Sequence, residues 1–251
     1  MAACVSPAWA QPATGELVVF AAASLTEPFT EIGKRLEAAH SRFFITFNFS
    51  GSAALRTQLE QGAQADVFAS ADDVQMDLAR KSGVVREAAP IFARNTLVVI
   101  VPRDNPKQVA EFRDLAQPGL KLDLAGAHVP AGRYSRGAIE KASADYGADF
   151  AHRVLRNVVS EEDNVKQVVA KVRLGEVDAG IVYTSDVTAK IMNDVWVTPI
   201  PEAYNQVASY PIAITTQARN ESAASVFVAF VLSQEGQAIL VAHGFRSDKE
   251  P

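Results

Sequence analysis

The chain has 251 residues, a formal charge of −5 at pH 7 and one cysteine, Cys4. That length exceeds one minimal core and fits one large domain or two lobes, and a single cysteine excludes an internal disulfide. The negative balance, with no basic stripe to neutralise phosphates, argues against a nucleic-acid partner, and no stretch approaches the length of a membrane-spanning helix.

Ala8-Trp9-Ala10 before Gln11 reads as a small-residue signal-peptidase site, with Pro12-Ala13-Thr14-Gly15 as a polar spacer. Residues 1–15 are therefore expected to be the remnant of a leader and its spacer, and the protein is expected to be exported. Cys4 lies upstream of that cleavage site, which argues against a lipid-attachment role.

Leu17-Val18-Val19-Phe20 is a short apolar strand that empties into Ala21-Ala22-Ala23, then Ser24, then a helix start. A strand followed directly by a helix N-terminus leaves backbone N–H groups without a partner in the chain. Ser24 and Glu27 fit a capping box across that turn. Phe29, Ile32 and Leu36 mark one face of a helix that runs to about Ala39. Phe43 to Phe49 is aromatic and β-branched, a second strand, which ends in Ser50-Gly51-Ser52 before a helix carrying Leu55 and Leu59 and closed by Gly62. Val67-Phe68-Ala69 is a third strand, Asp72 or Asp73 caps the next helix, and Gly83 closes it.

Thr96 to Val101 is an unbroken apolar run, as expected of a strand covered on both faces. Leu120, Leu122 and Leu124 alternate as another strand. Then come Val129-Pro130-Ala131-Gly132 and a helix from about Arg133 to Tyr146, followed by a helix over roughly Asp149 to Val158. Glu161-Glu162-Asp163-Asn164 opens a helix whose apolar face is Val165, Val168, Val169 and Val172, ending at Gly175. Ala179 to Tyr183 is a strand, and Ser185-Asp186 caps the segment after it. Val195 to Ile200 and Tyr210 to Thr216 are further extended runs, and two apolar helices finish the chain, the last ending at Gly244. Alternating strands and helices predict an α/β architecture with mostly parallel sheets. In such sheets ligands bind beyond the carboxyl ends of the strands.

Four strand-to-helix corners share one chemistry: Ser24, Ser50-Gly51-Ser52, Pro130-Ala131-Gly132 and Asn164-Val165. Tyr183 adds a polar group at a strand end. All of these offer donors and none is a carboxylate, which suits a fully ionised tetrahedral oxyanion whose oxygens only accept. Helix N-termini compensate its charge without a buried lysine or arginine.

Ala21-Ala22-Ala23-Ser24-Leu25-Thr26, Gln64-Ala65-Asp66-Val67-Phe68-Ala69-Ser70-Ala71-Asp72, His128-Val129-Pro130-Ala131-Gly132-Arg133-Tyr134 and Gly180-Ile181-Val182-Tyr183-Thr184-Ser185-Asp186 resemble the periplasmic molybdate-binding proteins of ABC transporters. The resemblance runs from Glu16 to Phe245. It implies the type II periplasmic binding protein fold, with two lobes, each a mostly parallel sheet flanked by helices, and the anion between them. The first lobe would comprise residues 16–94 and 202–251 and the second 95–201, with crossovers near Ala93–Asn95 and Thr198–Tyr204. The family's oxyanion site, carried over by motif, falls on Ser24, Ser52, Ala131, Val165 and Tyr183. Gly51-Ser52-Ala53-Ala54 is poorer in hydroxyls than the family's turn, which favours Ser52 over Ser50. Arg133 stands where an aliphatic residue is common, either adding positive potential or lying solvated on its helix.

The resemblance implies a periplasmic, monomeric, non-enzymatic receptor that delivers molybdate, and tungstate of the same charge and shape, to a membrane permease, with no cofactor. Sulfate is the alternative oxyanion. A serine hydrolase using Ser24 or Ser52 is the enzyme alternative, but Gly-x-Ser-x-Gly is absent. A regulator's effector-sensing domain is a third class, disfavoured because no DNA-binding segment precedes Glu16. His40, His128, His152 and His243 share no metal-ligand spacing. Asp66, Asp72 and Asp73 are expected to cap helices or lie on the lobe surface.

Overall fold

The computed structural model describes residues 13–247; the expected cleavage site at Ala8-Trp9-Ala10 and Cys4 lie outside them. Two compact units emerge, one from residues up to Arg94 together with those from Ser209 onward, the other from Asn95 to Ala208.

The first unit is built on five strands, β1 (Gly15–Ala22), β2 (Phe43–Ser50), β3 (Val67–Ala69), β4 (Ile91–Asn95) and β10 (Ala208–Ile214). They form one sheet in the order β2-β1-β3-β10-β4. β1 runs parallel to β2, from Gly15 opposite Phe43 to Ala22 opposite Ser50, and parallel to β3. β10 runs antiparallel to β3. Helices α1 (Thr26–Ala39), α2 (Ser52–Glu60), α3 (Asp73–Lys81), α7 (Glu221–Val231) and α8 (Gln234–Ala242) complete this unit. Alternation along β1 sends Phe20 into a cluster with Leu55, Leu59, Phe68 and Met76, which seats α2 and α3 on the sheet. Phe29 of α1 meets Phe227 of α7 edge-to-face at 5.4 Å and also touches Phe47 and Phe92. Each such ring contributes roughly 1.5–3 kcal/mol by burial.

The second unit has strands β5 (Leu97–Pro102), β6 (Leu122–Ala125), β7 (Val158–Glu162), β8 (Ala179–Tyr183) and β9 (Val195–Pro199), with helices α4 (Pro130–Tyr146), α5 (Phe150–Arg156) and α6 (Val165–Arg173). Its sheet order is β7-β6-β8-β5-β9. β6 is parallel to β7 and β8, while β5 is antiparallel to β8 and β9. In each unit, then, three parallel strands carry the strand-to-helix corners, and one strand runs antiparallel beside them, β10 in the first and β5 in the second.

The structure departs from the sequence expectations at identifiable places. Val158–Glu162 is a strand, β7, where the sequence predicts a helix from Asp149 running on to Val158 and another opening at Glu161. Its side chains are half-buried or exposed, so no apolar alternation marks it. Ile91–Asn95 forms β4, a strand absent from the sequence prediction. Residues 202–208, expected with the first lobe, pack in the second unit: Tyr204 lies against Phe112 and Tyr146 and donates from its hydroxyl to Asp145 at 2.6 Å. Asp66 is not on the surface. It is buried and accepts from the backbone N–H groups of Val18, Arg219 and Asn220.

Two glycines set how closely helices approach the second sheet. A Cβ on Gly180 of β8 would fall 2.7 Å from Val168 and 2.9 Å from Val172, so α6 rests directly on the strand. A Cβ on Gly132, in the first turn of α4, would fall 2.1 Å from the Ala125 carbonyl oxygen and 2.2 Å from that of Gly126. Backbone cannot yield as a side chain does. Gly132→Ala should therefore cost about 1–3 kcal/mol or more, the overpacking range. Urea unfolding of the variant measures it, and a cost below about 0.5 kcal/mol would show that α4 can move off the strand ends.

Candidate functional site

Parallel pairing brings the carboxyl ends of β1, β2 and β3 to one edge of the first sheet. Ala22, the last residue of β1, is opposite Ser50, the last of β2. The chain leaves β1 through a 3-10 turn at Ala23–Leu25, and neither this turn nor α2 has a side-chain cap. Ser24 is buried in the turn, and its Oγ lies 2.9 Å from the Tyr210 hydroxyl. The expected capping box with Glu27 does not form: α1 begins only at Thr26, with Leu25 before it and no side-chain cap. Ser52 opens α2, buried, and its Oγ accepts from the Ala71 N–H at 3.0 Å. The Ser52 hydroxyl proton remains to be donated. The partner of the Ser24 Oγ is thus a tyrosine hydroxyl and that of the Ser52 Oγ a backbone N–H.

In the second unit the ends of β6, β7 and β8 likewise share an edge. β6 leads through Gly126 to Val129 and then α4, with Pro130 as its first residue and no side-chain cap. A first-turn proline has no N–H to waste, and the Ala131 N–H follows it. Ala131 is buried, and its carbonyl accepts from Ser135 Oγ at 2.7 Å. α6 begins differently. Asn164 Oδ1 accepts from the N–H groups of Lys166 (3.0 Å) and Gln167 (3.3 Å), which leaves the Val165 N–H outside the cap. Tyr183 ends β8, buried, its N–H donated to Asp186 Oδ2 at 3.1 Å.

The helices of eight residues or more thus fall into two groups. α3, α7 and α8 are closed by their own side chains, Asp72, Asn220 and Ser233. α1, α2 and α4 have no side-chain cap, and α6 is capped in a way that spares Val165. The open starts are the corners singled out in the sequence. Ser24 and Ser52 follow the carboxyl ends of neighbouring strands in the first unit, and Ala131, Val165 and Tyr183 stand at or after the carboxyl ends of β6, β7 and β8 in the second. Ser50 is half-buried at the last rung of β2. The Arg133 guanidinium lies 4.9 Å over the Tyr134 ring, and the residue is half-buried. No group of three or more histidine, cysteine, aspartate or glutamate side chains among the described residues is arranged to hold a metal ion.

Two partners of the site residues escape sequence reasoning. Tyr210, the hydroxyl beside Ser24, comes from β10, nearly two hundred positions later, and no local signal links them. Asp186 reads only as a cap in the sequence, yet its side chain is fully buried and its Oδ1 lies 3.3 Å from Lys166 Nζ.

Behind these corners in the second unit lies a buried acid. Asp123 of β6 is sealed from solvent, and neither carboxyl oxygen makes a hydrogen bond of good geometry. Burial pushes its pKa up to about 7, the negative charge of Glu162 adds to this, and Lys171 opposes it. Glu162 also suffers from burial, but hydrogen bonds from Lys171 and Ser160 outweigh this and hold it below the usual range. The acid of the pair that keeps its proton is therefore Asp123.

The architecture is that of the two-lobed α/β periplasmic binding proteins. Residues 17–246 match the family of bacterial extracellular solute-binding proteins, and the chain belongs to it. A molybdate-binding protein of Mycobacterium tuberculosis is 40% identical over 240 residues, covering 96% of this chain and 88% of that one. The substrate-binding domain of a molybdenum ABC transporter, described as putative, from Clostridium difficile is 28% identical, with a TM-score of 0.68 over 94% of this chain and all of that one. The sulfate-binding protein of M. tuberculosis superposes with a TM-score of 0.84 over 94% of this chain and 88% of that one, at 17% identity, a likeness of fold alone.

The pH dependence of stability follows from Asp123. Its folded pKa lies above its unfolded value of 3.8, so the folded state holds the extra proton between roughly pH 4 and 7. Stability is lost as pH rises through that window, by as much as ~4 kcal/mol for a pKa raised from 3.8 to about 7. Asp123→Asn, which mimics the protonated acid, should gain on the wild type as pH rises and hold its advantage above pH 7. Urea midpoints at pH 4.5 and 8 test this; a difference between the two proteins that does not change with pH contradicts it.

Proposed function

We propose that this protein captures molybdate outside the cytoplasm and presents it to the permease of an ABC importer. Tungstate, with the same charge and shape, is the second ligand of this reading. The proposed donors are the Ser24 and Ser52 hydroxyls, the Ala131 and Val165 backbone N–H groups, and Tyr183. The observation that carries the reading is the split between closed and open helix starts, since the open ones coincide with these residues. It is supported by the 40% identity to a molybdate-binding protein across nearly the whole chain.

An unprotonated tetrahedral dianion can only accept hydrogen bonds, and donors fixed by buried backbone need no reorganisation to meet it. Each charge-assisted bond contributes roughly 1.5–3 kcal/mol, so several together give tight binding without a covalent step. Binding without turnover is part of the proposal. So are export to the periplasm, action as a monomer without nucleic acid, and the absence of any resident cofactor. Phosphate is disfavoured because it retains a proton near neutral pH that needs an acceptor. Sulfate is disfavoured because it is smaller than the cavity a molybdate would fill.

Titration calorimetry with molybdate, tungstate, sulfate and phosphate tests the ligand. Molybdate and tungstate should bind with similar affinity and the other two far more weakly, whereas sulfate binding as tightly as molybdate would move the protein to sulfate transport. The donors are tested in the same assay. Ser24→Ala and Ser52→Ala should each weaken molybdate by about one to two decades. Val165→Ala should change little because the backbone N–H survives, while Val165→Pro removes it and should be severe. Undiminished affinity in the Ser24→Ala, Ser52→Ala double variant would remove these residues from the site.

A further inference from the structure

Asp186 is a fully buried carboxylate at a corner where an anion is proposed to bind, an arrangement that calls for a reason. It sits in the 3-10 turn Thr184–Asp186 that follows β8. Its Oδ2 accepts the Tyr183 N–H at 3.1 Å, and its Oδ1 lies 3.3 Å from Lys166 Nζ. Lys166 stands in the first turn of α6, one residue after Val165, with its own N–H held by Asn164. One carboxylate therefore ties the end of β8 to the start of α6, and two of the proposed anion corners are fastened to each other.

Charge explains why both members are needed. A lone buried carboxylate beside these donors would repel a dianion and compete with it for the positive end of the helix. A lone lysine there would attract any anion regardless of shape. Paired, they present no net charge, and what remains to recognise a ligand is the direction of N–H and O–H dipoles. Lys166 keeps about a quarter of its side chain exposed, so its charge is accessible to solvent ions if the pair is broken.

We infer that Asp186 and Lys166 are positioning residues for oxyanion binding, a neutral brace that aligns the Tyr183 and Val165 corners and keeps selection dependent on geometry rather than on net charge. The inference rests on the proposed oxyanion reading and deepens it.

The test compares molybdate with perrhenate, a tetrahedral oxyanion of similar shape but half the charge, in calorimetric titrations at two salt concentrations. Lys166→Met removes the lysine charge beside the Asp186 carboxylate and should weaken molybdate by about tenfold but perrhenate by only about threefold, because the penalty scales with ligand charge. Asp186→Asn keeps a carbonyl acceptor for the Tyr183 N–H and uncovers Lys166. It should tighten molybdate several-fold relative to perrhenate and make binding more sensitive to salt. The double variant should return the molybdate-to-perrhenate ratio to about the wild-type value. Far-UV circular dichroism and the unfolding midpoint of each variant confirm that folded protein is compared, and Lys166→Met, at a partly exposed position, keeps the test available if Asp186→Asn unfolds.

Equal losses for both anions in both single variants would reduce the pair to an ordinary structural contact and overturn the inference. So would unchanged affinities in a protein whose wild type binds molybdate. A wild type that binds neither anion would defeat the oxyanion reading itself, and the brace with it.

Discussion

Oxyanion binding, as proposed, depends on helix starts that no side chain caps. A helix has no internal partner for its first N–H groups, and most helices close that end with a side chain or water. Here α3, α7 and α8 do so with Asp72, Asn220 and Ser233. At the corners that open α1, α2 and α4 the side-chain cap is absent, and at α6 it is placed so that Val165 is spared. Parallel pairing then gathers the open ends at one edge of each sheet. The positive ends of the helix dipoles and the orphan donors coincide there, and a buried donor left without a partner costs about 1–3 kcal/mol.

Holding such donors in place requires that the helices cannot drift. Gly132 lets the first turn of α4 lie against the carbonyls of Ala125 and Gly126, and Gly180 lets the Val168 and Val172 side chains of α6 settle directly on the β8 backbone. Arg136 strengthens the first contact by donating to the Ala125 carbonyl at 2.9 Å. Ser135 and Asp186 perform similar work nearby, on the Ala131 carbonyl and the Tyr183 N–H. Groups that could have faced solvent are instead used to immobilise the backbone. Rigidity of this kind lowers the ordering cost a ligand must meet on binding.

Much of this is legible in the sequence, for reasons that can be named. Strand β1 and the alanine-serine turn after it, the valine face of α6, and the Asn164 cap are all written in neighbouring residues, so local rules reach them. The features that escape those rules are either irregular or distant. Strand β7 carries Ser160, Glu161 and Glu162 on an outer edge of its sheet, where no apolar alternation is required. Asp66 resembles a surface residue in the sequence because its acceptor role is met by N–H groups of Arg219 and Asn220, far along the chain. The Ser24 hydroxyl is legible as a donor but its neighbour Tyr210 is not. Asp186 is visible, though its link to Lys166 depends on β8 and α6 being adjacent, which only the fold establishes.

The strand order of the first sheet also has a consequence for how the molecule assembles. β10 is an interior strand, lying between β3 and β4, yet it is made only after the entire second unit has been synthesised. The second sheet needs nothing outside residues 97–199, so it can condense from contiguous chain. The first cannot close until a long loop has been drawn together, an entropic cost that rises only slowly with loop length but delays the reward of non-local pairing. Until β10 arrives, β3 and β4 present bare edges with unpaired N–H and C=O groups, the kind of surface that recruits another chain. The period of greatest exposure to aggregation is therefore set by topology, and it falls on the unit that carries Ser24 and Ser52.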